Sequence, residues 1–286
     1  MMRLLHLLGT AAAIGTLATG ASAQDQTPQY GPNPTLVEPQ RGLLPTMKIP
    51  RPALWGDDRP VVPEGFTIQP IATDLMIPRQ MLILPNGDIL VAEGRGGNAP
   101  KLKPKDVIAG KIKAKGTSSV KSGNRLTLLR DADGDGVAEL KQPFIEGLMS
   151  PFGIAYANNR IYVANADAIV AFPYNEGDTR ITAAPEKIVD LPAGRNHHWT
   201  KDLVASPDGT KLYVTVGSNS NVGENGMEEE ENRAAVLEVD VASKQSRPFA
   251  SGLRNPNGPS WTPEDGRLWV VVNERDEIGT LVAVAN

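Results

Sequence analysis

Four stretches of this chain share one pattern of polar and apolar positions. LPNGDILVAE (84–93), YANNRIYVAN (156–165), SPDGTKLYVTVG (206–217) and TPEDGRLWVVVNE (262–274) each open with a turn rich in Asn, Asp or Gly. Each then runs into a short, β-branched and apolar segment. The centres predicted for those strands, Ile89, Ile161, Leu212 and Leu268, recur roughly every 50–70 residues. A Leu-containing loop precedes each turn by a short interval: TDLMIPRQM, EGLMSPFGI, VDLPAGRNHHW and SGLRNPNGP. Repeats of this length built from several short strands predict an all-β fold of the β-propeller type, with about four blades in this chain. A β-sandwich is the competing reading, because NG and DG hairpins serve sandwiches too. No 3.6-residue periodicity appears after the first residues, so helices are not expected.

Outside the repeats, residues 1–23 (MMRLLHLLGTAAAIGTLATGASA) read as a secretory signal peptide. Arg3 and His6 form the n-region, a short apolar stretch follows, and Ala21-Ser22-Ala23 precedes a cleavage site before Gln24. Export to the periplasm or the medium follows from that reading. Residues 24–62 carry many prolines without periodicity and read as an extended arm, leaving 63–286 as the propeller domain. No later run is long and apolar enough for a membrane span. The chain has no cysteine, so burial alone must hold the fold. A net charge of −4 argues against nucleic acid as a partner. Two charge runs, the lysine-rich 101–121 and the EEEE of 228–231, read as solvated insertions, with a docking surface for an electron-accepting partner as the sharper alternative.

Two groups of residues suggest chemistry. DADGDGVAE (131–139) sets Asp131, Asp133 and Asp135 at alternate positions, like the first half of an EF-hand loop. Position twelve is Gln142 instead of a bidentate Glu, and the flanks LTLLR and AELKQPF read as strands. That leaves a calcium-binding hairpin turn or a plain polar turn. The second group is RNHHWTKD (195–202). All histidine outside the first residues sits in His197-His198. Side chains of neighbouring residues on a strand point to opposite faces. The pair is therefore expected to place one imidazole in the central channel as a general base, the other packing outward with Trp199. At the matching point of the next repeat, Arg254 and Asn255 offer a cation and an amide to an anionic, carbonyl-rich ligand.

The motifs RLTLLRDADGDGVAEL, EGLMSPFGIAYANNRIYVAN, HHWTKDLVASPDGTKLYVTVGSNSN, ENRAAVLEVD, ASGLRNPNGPSW and VVNERDEIG together resemble the glucose/sorbosone dehydrogenase family, over roughly residues 63–279. Those proteins are exported quinoproteins built on six-bladed propellers. The resemblance implies pyrroloquinoline quinone and Ca²⁺ as cofactors, a sugar or related alcohol or aldehyde as substrate, and a cytochrome or quinone as electron acceptor. It places the catalytic histidine on His198, five residues before Leu203, and the quinone-contacting pair on Arg254 and Asn255. Many relatives carry cysteines in the loop after TVG, where this chain has SNSNV (218–222). The family also continues through about two further blades after ERDxIG, whereas this chain ends in GTLVAVAN. It is therefore expected to be a shortened form with little or no turnover. A metal-dependent propeller lactonase and a non-catalytic binding propeller remain the competing readings.

Overall fold

The computed structural model describes residues 58–96, 123–194 and 196–275. The signal peptide, most of the Pro-rich arm, the lysine-rich run and the final residues lie outside them. Among the described residues the regular structure is all β, apart from a 3-10 turn at Met227–Glu230. Three antiparallel four-stranded meanders follow one another. The first comprises β1 (Pro78–Ile83), β2 (Ile89–Glu93), β3 (Arg125–Arg130) and β4 (Leu140–Ile145). The second comprises β5 (Ile154–Ala157), β6 (Arg160–Ala164), β7 (Ala168–Pro173) and β8 (Glu186–Asp190). The third comprises β9 (Leu203–Ala205), β10 (Lys211–Val216), β11 (Ala235–Asp240) and β12 (Ser246–Ser251). β13 (Asn255–Trp261) and β14 (Leu268–Asn273) form a two-stranded fourth sheet. The four repeated turn–strand segments are the first hairpins of these sheets, and Ile89, Ile161, Leu212 and Leu268 lie in the second strand of each.

Strand periodicity explains how the sheets stack. In β6, Ile161 and Val163 pack towards the first sheet with Phe144 and Leu126, while Tyr162 and Ala164 pack towards the third with Leu212 and Val214. A strand buried on both faces needs an unbroken apolar run, which is why RIYVA lacks the polar alternation of a half-exposed strand. In β10 the residues facing the second sheet are Leu212, Val214 and Val216. Tyr213, on the opposite face, meets Phe249 and Trp261 edge-on at 5.0 and 5.2 Å. Each inner sheet thus packs between the sheets before and after it, the blade arrangement of a propeller and not a two-sheet sandwich.

The innermost strands β1, β5, β9 and β13 lie side by side along the axis. Asp202, just before β9, joins them. One carboxylate oxygen accepts from Gln80 of β1 and from the Gly258 amide of β13, the latter at 2.9 Å. The other accepts from the Leu203 amide at 2.9 Å. The backbone of Asp202 is held by Thr215 of β10, through its hydroxyl at 3.0 Å and its amide at 2.9 Å. The second sheet joins through Gly153, whose amide donates to the Lys201 carbonyl at 3.0 Å. A Cβ at Gly153 would lie 2.8 Å from the Asp202 backbone, so only glycine permits this approach. At the outer end of the first sheet, Arg130 binds Asp88 with two bonds of 2.7 Å and holds that carboxyl below its usual range.

Burial pushes the Asp202 carboxyl above its ordinary pKa, against the pull of its hydrogen bonds from Gln80, Leu203 and Gly258. Because the folded state then holds the proton more tightly than the unfolded state, this group favours folding most below the unfolded pKa. That contribution is lost as pH rises through the folded value. Asp202→Ala, which strands the Gly258 and Leu203 donors, is expected to destabilise the protein by about 3 kcal/mol in urea unfolding. Asp202→Asn should lose less and should abolish this group's share of the pH dependence. Wild type would then gain stability relative to Asp202→Asn on acidification, and parallel pH curves for the two proteins would contradict the assignment.

Candidate functional site

Because every sheet is an up-and-down meander, its loops alternate between two rims. The segment before β9 (191–202), the loop from β10 to β11 (217–234) and the short connection from β12 to β13 (252–254) all emerge on one rim. His198 stands there, half-buried, while His197 is exposed. His198 Nδ1 lies 2.8 Å from the Ser218 carbonyl and 3.0 Å from its hydroxyl. A carbonyl can only accept, so Nδ1 carries the proton and the Nε2 lone pair is the basic one. The Ser218 hydroxyl is itself fixed by donation to the Ser220 carbonyl at 2.6 Å.

The same serine ties the histidine to the next repeat. The Ser218 amide donates to the Arg254 carbonyl at 2.7 Å. Gly217, one residue earlier, packs so closely that a Cβ there would sit 2.5 Å from both the Asn255 side-chain oxygen and the His198 Cβ. Glycine at 217 is therefore what allows His198 and Asn255 to face each other. The structure thus brings His198, Arg254 and Asn255 to one rim.

Asn255 is 9 % exposed, and its Oδ1 is buried without a hydrogen-bond partner. Thr200 Oγ1, Asn219 Oδ1 and Asn257 Oδ1 are in the same condition. All four lie on the segments that meet around His198. Buried polar atoms without partners are costly, and these four gather beside His198. Arg254 differs from expectation. Its Nε and Nη2 donate to the Asn221 carbonyl and side-chain oxygen at 3.0 and 2.9 Å, and its Nη1 to the Asn273 carbonyl at 3.1 Å. The guanidinium pins loop to loop here, and an anionic ligand would have to exchange with those carbonyls.

The histidine pair also differs from expectation. His197 and His198 sit in a bend and not a strand, so alternation does not separate the two imidazoles. The rings meet edge to face at 4.6 Å. Trp199 does not pack with His197. It stands edge-on to Phe152 at 5.8 Å, with the Arg79 guanidinium 5.1 Å above its ring, forming a wall from the first two sheets. The EEEE run is likewise more than a solvated face. Glu230 turns inward to accept from the Asn219 amide at 2.7 Å and from the Ser220 hydroxyl. Glu224 accepts from the Asn221 and Val222 amides at 3.2 and 2.8 Å. Carboxylates thereby hold the SNSNV loop.

The DADGDG segment is the turn between β3 and β4, as its flanks predict. Glu139, which the sequence pattern did not single out, joins Asp131, Asp133 and Asp135, with one carboxylate oxygen from each within 4.8 Å of the others. Asp131 accepts from the Gly134 and Gly136 amides at 2.7 and 2.8 Å, and both glycines sit at positive φ. A set of hard oxygen donors of this kind suits Ca²⁺. The turn lies on the rim opposite His198, so an ion there would not touch a ligand at the histidine.

Among the described residues no helix is long and apolar enough to cross a membrane. No curated protein matches the chain. Of solved structures, the PQQ domain of pyranose dehydrogenase from Coprinopsis cinerea, in its holo form, matches with a TM-score of 0.58 at 20% identity, over 76% of this chain and 48% of that one. The calcium structure of a family AA12 carbohydrate-active enzyme from Trichoderma reesei matches with a TM-score of 0.54 at 21% identity, over 76% of this chain and 51% of that one. The chain spans about half the length of these structures and shares their fold. The TrAA12-like family model matches residues 60–284, nearly the whole of the strand-forming region, and the chain belongs to the TrAA12-like family.

Proposed function

We propose that the rim around His198 is the site of a quinone-dependent dehydrogenase acting on a sugar or a related alcohol or aldehyde. The observation that carries this reading is the His198 imidazole, locked by the Ser218 carbonyl with its basic nitrogen at Nε2 and facing the partnerless Asn255 oxygen across Gly217. Oxidation of a carbinol needs a base for the hydroxyl proton and an acceptor for the hydride. Pyrroloquinoline quinone, when bound, supplies the two-electron acceptor. His198 takes the hydroxyl proton at Nε2, and Ser218 stabilises the resulting imidazolium by keeping Nδ1–H directed at its carbonyl. Asn255 would hold the quinone beside the histidine, and Arg254 would offer it a charged contact from the loop it now braces. The match to a PQQ domain supports this reading, as does the fit of the residues present. Export is part of the proposal and rests on residues 1–23. Ca²⁺ would occupy the carboxylates of the β3–β4 turn as a structural ion.

Titrating quinone into the protein should quench tryptophan fluorescence through Trp199, and in a chain extended by the family's two further blades adding sugar should then bleach the bound quinone in a single turnover. His198→Ala is expected to slow that reduction by roughly 10²–10⁴ with quinone affinity little changed. His197→Ala should stay near the wild-type rate. Equal slowing in both variants, or no quinone bound by wild type, would sink the reading. A separate titration addresses the acidic turn. Ca²⁺ should raise the melting temperature of wild type but not of an Asp133→Ala, Asp135→Ala double variant, because only a cation relieves the repulsion of four convergent carboxylates. An equal response in both proteins would remove the ion from this turn.

A further inference from the structure

Two buried cations lie behind the His198 loop, and among the described residues no carboxylate pairs with either. Lys201 is 1 % exposed and Arg233 is 7 % exposed. They come from different segments, Lys201 from the loop that carries His198 and Arg233 from the approach to β11, yet they converge on one atom. Lys201 Nζ donates to Asn196 Oδ1 at 3.2 Å and Arg233 Nη1 donates to the same oxygen at 3.1 Å. Their remaining acceptors are backbone carbonyls: Trp199 at 3.4 Å for the lysine and Ala193 at 2.8 Å for the arginine. Asn196 cannot turn away, because its Nδ2 is committed to the Ala166 carbonyl at 3.2 Å.

Two basic head groups therefore share one neutral amide oxygen, and their other acceptors are main-chain carbonyls. An ammonium has three donors and a guanidinium five. The nearest acids are already engaged. Glu229 and Glu230 act on Arg233 only at a distance, and Glu230 spends its oxygens on Asn219 and Ser220. The Asp202 carboxylate faces Gln80, Leu203 and Gly258. Buried charge without a directly paired counter-charge is disfavoured, and a like charge beside it adds to the penalty. We propose that Lys201 and Arg233 form a binding site for a small monovalent anion of the halide class, enclosed beneath the loop that presents His198. The seclusion of both head groups selects an ion of one or a few atoms over a bulky carboxylate. An anion there would brace the loop from 193 to 202 and so fix the backbone on which His198 is mounted.

The energetics give this site a pH signature. Burial first, and then the Arg233 charge, bring the Lys201 pKa down to about 7. Among described residues, the charged groups facing this pair are each other and, at longer range, Glu229 and Glu230. With a folded pKa below the unfolded one, this lysine lowers stability progressively as pH falls from about 10.5 to about 7. An anion that binds the charged form cancels that decline. The test is thermal unfolding in sodium chloride against sodium gluconate at equal ionic strength, at pH 6 and at pH 9. Chloride is expected to raise Tm saturably at pH 6, by about 5 °C, and by much less at pH 9. Lys201→Met should abolish the difference between the two salts. Crystals soaked in bromide should show an anomalous peak within hydrogen-bonding distance of Lys201 Nζ and Arg233. Identical melting in chloride and gluconate at both pH values, a chloride response retained by Lys201→Met, or no bromide peak would each overturn the proposal. None of these readouts depends on quinone or sugar, so the dehydrogenase reading can stand or fall separately.

Discussion

One buried carboxylate organises the centre of this protein. Asp202 accepts hydrogen bonds from the first and fourth sheets and is pinned by its backbone within the third. The second sheet is bound one residue away, at Lys201. A propeller lacks the continuous hydrogen-bonded ladder of a single sheet, so its blades must be fixed to one another along the axis by side chains. Apolar packing between blades supplies most of the stabilisation but little orientation, because it is non-directional. A charged acceptor with three directed donors supplies the orientation. Burial opposes it, as the raised pKa of the group shows. The arrangement persists because Gln80, Leu203 and Gly258 all direct their N–H groups at the one carboxylate.

The chemistry is mounted on that junction. From His198 to Asp202 the chain runs only a few residues, and within them it provides the proposed base, a tryptophan wall, a buried cation and the axial carboxylate. Positions set by the axis are thereby transmitted to the rim with little slack. The loop after β10 completes the geometry through main-chain groups. The Ser218 carbonyl orients His198, and the Ser218 amide holds Arg254. Backbone groups serve well here because their directions are set by the strand that precedes them.

Much of this was legible in the sequence, for identifiable reasons. The turn–strand repeats announced the blades because a strand buried on both faces must be apolar throughout, and RIYVA and KLYVTV could hardly be anything else. That His198, Arg254 and Asn255 would share a rim was legible because they occupy corresponding loop–strand junctions. Glu139 was missed because it follows a turn whose length the EF-hand comparison did not anticipate. The inward role of Glu230 was missed because a run of four glutamates looks uniform until the fold turns one of them. Asp202 and Lys201 were in plain view within HHWTKD, yet their roles depend on Gln80, Gly258 and Arg233, which are distant in the chain. No local pattern encodes such a meeting.

Gly217 carries a lesson about how such a site can change over evolutionary time. With no room for even a methyl group between His198 and Asn255, the proposed base and its facing amide are inherited as a single block that tolerates no gradual adjustment from within. Variation is instead freer at Arg79 and Phe152, which come from the first two blades and pack against Trp199. Descendants of this scaffold would therefore diverge in what they admit to the rim long before they diverge in what they do to it.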